Sequence, residues 1–334
     1  MKKSDVRKIL FITSSRIGDA VLSSGLLKYV QDVYPGAKIT ICCGPLVASQ
    51  FEGVPALERI IPIKKQRYNK HWYELWKEIV GTRFDIVIDL RNSVVSRLIR
   101  AKVRYIHGSQ IDKGIAKVLQ NASVMNLDPA PDPKMWFTDE QKKRAAELIP
   151  DGGEVFGVGP TSNWIGKTWP EDRFIEIIEW MIGEGGLMEG ARVAVFGASG
   201  EEAVARRVLA SVPEGQRLDI IAKGSPADAG ACLERCDFYI GNDSGLMHYS
   251  AAVGTPTLGV FGPGYPDIYG PWGEHTAVAH TPENVYELTG YDGYDSKTCG
   301  CLMGTLSVEH VKDVIKHNWN RLMTAGGYTK KLAT

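Results

Sequence analysis

Short apolar runs alternate with amphipathic stretches along most of this chain. In the first half, the apolar runs predict strands at 8–13, 38–43, 58–63, 84–90 and 103–107. Between them, apolar residues at helical spacing predict helices over 20–33, 69–80 and 93–101. Strands that alternate with helices are typical of a parallel sheet covered on both faces. The first half is therefore predicted to be an α/β unit.

The same alternation restarts after residue 150, past a proline-containing stretch at 120–138 that is expected to lead into a linker. A helix is predicted at 139–148, before this restart. The restarted pattern then predicts strands at 154–159, 192–196, 218–222, 238–240 and 257–261, and helices at 171–181, 201–210, 227–234, 246–252 and 308–322. We therefore predict two tandem α/β domains, 1–150 and 151–323, the second closed by a C-terminal helix. Residues 324–334 are expected to form a loose tail.

A polar turn with the sequence Gly-Asn-Asp-Ser-Gly, residues 241–245, follows a buried strand and opens a short helix. Open α/β sheets hold their ligands at this edge. The free N–H groups and positive dipole of a helix N-terminus favour a phosphate there. Candidate ligand residues are thus Asp243, Ser244 and Gly245, with His248 one turn later. The alternative is an ordinary turn in which Asp243 or Ser244 caps the helix and His248 is structural.

A second polar turn, Ser14 to Asp19, follows the first predicted strand. Asp19 is expected at the ligand edge of the first sheet, where Gly18 permits close approach of a ligand. An acid near the start of a helix also complements the helix dipole without any further function. The position of Asp19 alone leaves both interpretations open.

The loop after residue 159 contains a Gly-Lys-Thr run. Six residues separate Gly159 from Gly166, whereas a P-loop has four, and we reject an ATPase P-loop. Lys167 nevertheless follows a strand and is placed to neutralise a diphosphate. Thr161 and Ser162 are candidate hydrogen-bond donors beside it.

Glu201 and Glu202 follow a glycine-containing turn at the predicted start of a helix. One of them is a candidate acceptor for ribose hydroxyls or a base, and the choice between them is open. The alternative is that both are first-turn helix acids. The full GxGxxG fingerprint is absent, which argues against a nicotinamide dinucleotide.

Basic residues precede an aromatic helix in the first half. Trp72 and Trp76 share one predicted helical face with apolar neighbours, which favours core packing for the rings. The cations before them, Lys64, Lys65 and Arg67, are candidates to hold an anionic acceptor or to lie on a membrane surface.

The zero net charge of the chain hides an asymmetry between its halves. Residues 1–150 carry 25 Lys and Arg against 15 Asp and Glu, and residues 151–334 carry 14 against 24. A basic half steers an anionic partner such as nucleic acid, acidic lipid or a phosphorylated sugar. The alternative is two solvated faces that attract one another.

The six cysteines fall into three close pairs: Cys42 and Cys43, Cys232 and Cys236, and Cys299 and Cys301. These spacings are not those of a disulfide framework and favour cytosolic thiols. A zinc site built from the last four is an alternative with unusual spacings. The polar N-terminus predicts no signal peptide, and no run approaches the roughly 20 apolar residues of a membrane span. We expect a cytoplasmic protein.

Two of these motifs carry a resemblance. Residues 12–21, Ile-Thr-Ser-Ser-Arg-Ile-Gly-Asp-Ala-Val, resemble the first-strand motif of glycosyltransferase family 9, the ADP-heptose:lipopolysaccharide heptosyltransferases. Residues 241–252, Gly-Asn-Asp-Ser-Gly-Leu-Met-His-Tyr-Ser-Ala-Ala, resemble the second-domain motif, closest to that of the enzymes that add the second heptose. Residues 261–263 and 269–272 are similar to the segment that follows. The resemblance extends from residue 8 to the region of residue 320.

The resemblance implies a GT-B architecture, with two facing Rossmann-like domains and the active site between them. The first domain is then expected to bind the acceptor and the second the nucleotide sugar. The implied reaction is an inverting transfer of a heptose from ADP-heptose to an anionic glycolipid, expected to be inner-core lipopolysaccharide. The donor is a substrate, and neither a metal nor another cofactor is expected. Peripheral contact with the inner membrane face is expected, and nucleic acid is not.

Carried onto this chain, the family pattern makes Asp19 the general base. The implied donor-binding residues are Thr161, Ser162, Lys167, Glu201, Asp243, Ser244, Gly245 and His248. The acceptor-binding residues expected in the basic half are Ser15, Arg16, Lys64, Lys65 and Arg67. Cys299-Gly-Cys301 resembles only the end of a longer cysteine pattern that some members carry.

Two other functions remain as alternatives. A Rossmann-type nucleotide-sugar epimerase or dehydrogenase would need a GxGxxG fingerprint and a Tyr-x-x-x-Lys pair, and the fingerprint is absent. A non-catalytic module would instead dock its basic half on acidic membrane or nucleic acid, and Asp19→Asn would leave its function intact.

Overall fold

The computed structural model describes residues 3–325. Contacts divide the chain into two compact units, one ending at Thr138 and the other beginning at Asp139. Both are built on parallel sheets, which confirms the predicted α/β class. No helix within the described part of the chain is long and apolar enough to cross a membrane.

The first unit has a five-stranded parallel sheet in the order β3-β2-β1-β4-β5. Its strands are β1 (Lys8–Ile12), β2 (Lys38–Cys43), β3 (Leu57–Pro62), β4 (Arg83–Asp89) and β5 (Arg100–Ile106). Its helices are α1 (Ile17–Val33), α2 (Lys70–Ile79), α3 (Val95–Leu98) and α4 (Lys117–Ser123). Short 3₁₀ segments occur at Lys3–Asp5, Pro45–Phe51 and Arg67–Asn69.

Strand β1 shows why an apolar run without alternation forms a central strand here. Ile9 and Phe11 pack into the core on one face of the sheet, and Leu10 and Ile12 pack into the core on the other. All four side chains are fully buried. A strand of a parallel sheet has both faces covered, and its sequence is therefore apolar throughout.

The second unit has a six-stranded parallel sheet in the order β11-β10-β9-β6-β7-β8. Its strands are β6 (Val155–Gly159), β7 (Arg192–Gly197), β8 (Arg217–Ile221), β9 (Phe238–Asn242), β10 (Thr257–Phe261) and β11 (Thr276–His280). Its helices are α5 (Asp139–Leu148), α6 (Glu171–Ile182), α7 (Glu202–Ser211), α8 (Pro226–Leu233), α9 (Gly245–Ala252), α10 (Pro266–Tyr269), α11 (Val285–Thr289) and α12 (Val308–Ala325). Two short 3₁₀ segments lie at Ile165–Lys167 and Glu214–Gln216.

The predicted C-terminal helix is present as α12, and it packs on the sheet of the second unit. Val311, Ile315 and Leu322 of this helix are fully buried in that core. The Trp319 ring meets the Phe238 ring of β9 edge-on, with 5.2 Å between centroids. Thr324 and Ala325 of the predicted tail belong to α12, and the rest of that tail lies outside the described residues.

The division between the units precedes α5, whereas the sequence pattern predicts a domain boundary at residue 150. Helix α5 lies against α8 of the second unit. Arg144 of α5 donates to the buried Asp228 carboxylate of α8 at 3.0 Å.

The helix predicted over 93–101 is mostly wrong, because only α3 forms within it. Arg100 and Ala101 already pair with β4, opposite Arg83 and Phe84. The Arg104 guanidinium also donates to backbone carbonyl oxygens in and just after α3, which ends the helix early. Tertiary pairing thus overrides a local helical pattern.

Candidate functional site

In the second sheet, the strands that follow β6 in the chain lie first on one side of it and then on the other. The chain enters at β6 in the middle, continues to β7 and β8 on one side, and then returns to β9 on the other. Gly159 at the end of β6 is aligned with Gly241 of β9. The crevice outside such a pair of strand ends is where open α/β sheets bind their ligands.

Lys167 and Asp243 meet at this edge, one from the loop after β6 and the other from the turn after β9. Lys167 Nζ lies 3.2 Å from Asp243 Oδ2. Their side chains are only 20% and 16% exposed, so solvent screens this ion pair less than a surface pair. The pair fixes the lysine ammonium while leaving two of its three N–H groups for a ligand.

Helix α9 begins beside this ion pair. Ser244 stands at its N-cap in an extended conformation, but its hydroxyl makes no capping bond to the helix. Gly245 is the first helical residue, and its lack of a side chain leaves the helix N-terminus open. His248 is buried, with 5% of its surface exposed, and lies one turn into the helix. The helix start therefore offers its first backbone N–H groups to an anion, with the buried Ser244 hydroxyl beside them.

The loop after β6 is ordered by its own hydroxyl groups. The Ser162 hydroxyl donates to the Trp164 carbonyl at 2.8 Å and lies 3.0 Å from the Thr168 hydroxyl. Thr161 is buried at the end of the strand. Ser162 thus has a structural role in holding the turn that carries Lys167, beside its predicted role as a ligand donor.

Glu201 and Glu202 differ in what their carboxylates do. Glu202 accepts a hydrogen bond from the Gly200 N–H at 2.8 Å and closes the turn before α7. Glu201 is the N-cap residue of α7, and its side chain makes no capping bond. This turn follows β7, the neighbour of β6, so both acids lie at the same sheet edge as Lys167.

Asp19 lies in the first turn of α1, which starts at Ile17 rather than at the predicted residue 20. The Ser14 hydroxyl donates to Asp19 Oδ2 at 3.3 Å and accepts from the Arg16 N–H at 3.1 Å. These bonds hold the turn after β1, while the side chains of Ser15 and Arg16 are exposed. Strand β1 neighbours β4 across the point where the strand order of the first sheet reverses. Asp19 thus occupies the ligand edge of the first unit.

The basic segment 64–67 follows β3 at the same edge of the first sheet. Lys64, Lys65 and Arg67 are all exposed, and within the described residues no salt bridge involves them. Tyr68 and Asn69 next to them have left-handed backbones, with φ of 55° and 57°, and the Tyr68 side chain is 98% exposed. Three unpaired cations beside an exposed aromatic ring suit an anionic ligand.

Two residues at these edges were not among the site residues predicted from the sequence. Asp89, the fully buried last residue of β4, accepts from the Arg91 and Ser93 N–H groups and organises the loop after β4, the strand that pairs with β1. Its position at the end of an apolar run was a visible signal. The phenol oxygen of Tyr239, on β9, lies next to Gly159 and Gly241. This contact depends on the pairing of β6 with β9, which the sequence does not show.

The four-cysteine zinc site considered from the sequence is not formed. In residues 3–325 no three His, Cys, Asp or Glu side chains are grouped so that they could hold a metal ion. Cys232 and Cys236 are buried, whereas Cys301 is exposed and its thiol donates to the Thr168 carbonyl at 3.2 Å. All six cysteines are free thiols.

Comparisons with known proteins agree on one family. The model of glycosyltransferase family 9 (heptosyltransferase) matches residues 117–288. The chain is 24% identical to lipooligosaccharide heptosyltransferase 2 of Haemophilus influenzae over 310 residues, covering 81% of this chain and 87% of that protein.

Two solved structures share the fold. The family 9 glycosyltransferase of Veillonella parvula aligns with a TM-score of 0.76 at 21% identity, covering 95% of this chain and 98% of that one. The heptosyltransferase WaaC of Escherichia coli, solved with ADP, aligns with a TM-score of 0.70 at 22% identity, covering 93% and 99%. The predicted GT-B class, two parallel-sheet α/β domains with a C-terminal helix, is therefore confirmed.

Proposed function

The chain belongs to glycosyltransferase family 9 (heptosyltransferase), and from this premise we propose that it transfers a heptose from ADP-heptose to an anionic acceptor of lipopolysaccharide biosynthesis. The observation that carries the proposal is the Lys167–Asp243 pair beside the start of α9, within the segment that matches the family. This edge offers a fixed cation, the N–H groups of a helix start and a serine hydroxyl, which together suit a diphosphate.

The donor site is proposed in the second unit. Lys167 and the first N–H groups of α9 hold the diphosphate, and the Thr161 and Ser244 hydroxyls donate to it. Glu201 accepts from the ribose or base, since the Glu202 carboxylate is already bonded to the Gly200 N–H. That WaaC was solved with ADP supports an adenine nucleotide as the donor's leaving group.

The acceptor site is proposed in the first unit. Ser15, Arg16, Lys64, Lys65 and Arg67 are exposed there. Residues 1–150 carry ten more basic than acidic side chains. An acceptor rich in phosphate or acidic sugars, as inner-core lipopolysaccharide is expected to be, matches this charge. The same cations are proposed to make peripheral contact with the cytoplasmic face of the inner membrane, where they would attract anionic lipid.

The proposed transfer is a single inverting displacement. Asp19 takes the proton from the acceptor hydroxyl as its oxygen forms a bond to the anomeric carbon of the heptose. The bond from that carbon to the ADP oxygen breaks on the opposite face, and the electron pair leaves with ADP. The Ser14 hydroxyl, 3.3 Å from Asp19 Oδ2, keeps the carboxylate in place. A positioned general base contributes about 10²–10⁴ in rate.

The leaving group is proposed to need no metal ion. Departing ADP gains negative charge on its terminal phosphate, and Lys167 with the α9 N-terminus supplies fixed positive groups at that point. We therefore expect transfer to continue in the presence of a chelator such as EDTA. Loss of transfer with EDTA, restored by added Mg²⁺, would contradict this part of the proposal.

Thermal unfolding with ADP, UDP, GDP, CMP and NAD in parallel tests the proposal. A ligand at 100 times its dissociation constant stabilises the fold by about 2.7 kcal/mol. A selective shift with ADP is expected. A selective shift with UDP or GDP would change the donor, a shift with NAD alone would favour an oxidoreductase, and no shift with any nucleotide would favour a binding module.

A further inference from the structure

The fully buried Tyr239 lies flat along three glycines of the second sheet. Its ring carbon Cδ2 would be 3.1 Å from a Cβ at Gly157, which is aligned with it on β6. A Cβ at Gly159 or Gly241 would overlap with the phenol oxygen. The Phe196 ring of β7 closes the far side edge-on, at 6.2 Å between centroids. The glycines thus form a channel that carries the phenol to the carboxyl edge of the sheet.

The Tyr239 hydroxyl reaches that edge beside the Ser244 hydroxyl. Both oxygens are buried, and within the described residues neither makes a hydrogen bond of good geometry. The two side chains are nevertheless close enough to interact, and the Ser244 hydroxyl offsets part of the rise in the pKa of Tyr239. A buried hydroxyl is stabilised by a well-formed hydrogen bond, and a phenol and a serine hydroxyl that bond to each other still leave one O–H proton for a further acceptor.

The donor and acceptor properties of the Tyr239 and Ser244 hydroxyls determine which kind of ligand group would bond to them. Burial, and secondarily the nearby Cys236, raises the pKa of Tyr239 far above its usual range, so the phenol is a neutral O–H donor. Ser244 is an N-cap residue whose side chain does not accept from its own helix, so its oxygen is free to accept from the phenol. The Ser244 proton then needs an acceptor, and Lys167 and the α9 N-terminus beside it select an anionic one.

We propose that Tyr239 is a positioning residue of the donor site, whose O–H donates to Ser244 so that Ser244 donates to a phosphate oxygen of the bound nucleotide. The inference rests on the proposed function, because the anion is the diphosphate of the donor. Two hydroxyl groups in series polarise one another and strengthen the last bond of the chain. Gly159 and Gly241 are required because any side chain there would displace the phenol.

Calorimetric titration of the full chain with ADP and with inorganic pyrophosphate tests this. Tyr239→Phe keeps the ring and is expected to weaken both ligands by about two- to tenfold, the value of one neutral hydrogen bond. Ser244→Ala is expected to weaken them at least as much. The double variant should bind no more weakly than Ser244→Ala, because the phenol acts only through that serine.

Two further readouts separate positioning from a structural role. The melting temperature of ligand-free Tyr239→Phe should be close to that of the wild type, because the phenyl ring fills the same space along the glycines and the pair of hydroxyls has poor hydrogen-bond geometry. Adenosine, which lacks phosphate, should bind Tyr239→Phe and wild type equally in a displacement titration. The control Ser250→Ala removes a buried hydroxyl paired with Thr257 at the far end of α9 and should leave ADP affinity unchanged.

The outcomes distinguish this inference from the proposed function. Unchanged ADP affinity in Tyr239→Phe, additive losses in the double variant, or equal weakening of adenosine would overturn the positioning role while leaving the proposed function in place. Failure of the wild type to bind ADP or pyrophosphate would overturn both.

Discussion

Lys167 Nζ and Asp243 Oδ2 are 3.2 Å apart, although 76 positions separate the two residues in the chain. The contact exists because β6 and β9 are neighbours in the sheet, so the loops after them meet. The Asn242 side chain secures the same junction by accepting from the Trp169 N–H at 2.9 Å. The proposed phosphate site is therefore built on two strand ends that the core holds rigidly.

Removal of the lysine should weaken donor binding. We expect Lys167→Ala to raise the dissociation constant for ADP by about tenfold or more, the value of one hydrogen bond from a charged donor. Isothermal titration calorimetry measures this dissociation constant. Lys312→Ala is the matched control, because it removes a lysine paired with Glu176 at 2.8 Å elsewhere in the same unit. Equal ADP affinity in the two variants would contradict the role of Lys167.

The two glutamates before and within α7 should behave differently. Glu201→Gln is expected to raise the dissociation constants of ADP and adenosine by similar factors, of about three- to tenfold, because the proposed contact is to the ribose or base. Glu202→Gln should leave both unchanged, since that carboxylate closes the turn at Gly200. Competition titrations with ADP and with adenosine measure both dissociation constants. The reverse pattern would assign the contact to Glu202.

The general-base role of Asp19 predicts a loss of turnover without a loss of donor binding. We expect Asp19→Asn to lower kcat by about 10²–10⁴ and to leave ADP affinity at the wild-type value. Asp32→Asn, which changes an exposed acid of the same helix paired with Lys28, is the control. Steady-state transfer assays measure kcat for both variants. A wild-type kcat in Asp19→Asn would exclude Asp19 as the general base.

The cations of the segment 64–67 should contribute to binding of the acceptor and not of the donor. In low-salt buffer Lys64→Ala/Lys65→Ala is expected to raise the KM for a phosphorylated acceptor by about 30-fold, at about 1 kcal/mol for each of the two cations near an anionic surface. The difference should shrink as salt is added. The control Lys142→Ala/Lys143→Ala removes two exposed lysines of α5. Equal KM values for the two double variants would show that the segment 64–67 does not bind the acceptor.

A buried carboxylate of the first sheet predicts how acid affects stability. Burial alone would raise the pKa of Asp85, but the Lys102 ammonium at 2.6 Å and the N–H groups of Arg7 and Lys8 outweigh it and lower that pKa. The stabilisation is therefore present above the unfolded-state value of about 3.9 and is lost as the pH falls below it.

Asp85→Asn should consequently lower the free energy of unfolding by about 2 kcal/mol at pH 7, the value of hydrogen bonds to a charged group. The deficit should disappear at low pH, where the wild-type carboxyl is protonated. Denaturant titrations at pH 7 and at successively lower pH measure this, with the exposed Asp5→Asn as control. A deficit that stays constant with pH would contradict the electrostatic account.

The sequence carries those parts of the site that depend on one strand and the turn after it. Asp19, Lys167 and Asp243 each follow a buried apolar run, and the carboxyl ends of parallel strands share one edge. The sheet in each unit could be predicted for the same reason. Strand β11, at the edge of the second sheet, was missed because its residues are only partly buried and its sequence lacks a long apolar run.

What the sequence could not supply depends on register between distant strands. The Tyr239 phenol lies over Gly159 and Gly241 only because those two glycines are aligned across β6 and β9. Neither strand contains that information by itself. The short α3 has the same origin, since β4 pairs with Arg100 and takes it out of the helical pattern.

Product analysis with the wild-type protein tests the central claim most directly. The full chain would be incubated with ADP-heptose and a phosphorylated inner-core lipopolysaccharide acceptor, and the product examined by mass spectrometry and NMR. The account predicts one added heptose with the anomeric configuration opposite to that in the donor, together with released ADP. Transfer with retained configuration, or no transfer from ADP-heptose by protein that binds ADP, would contradict it.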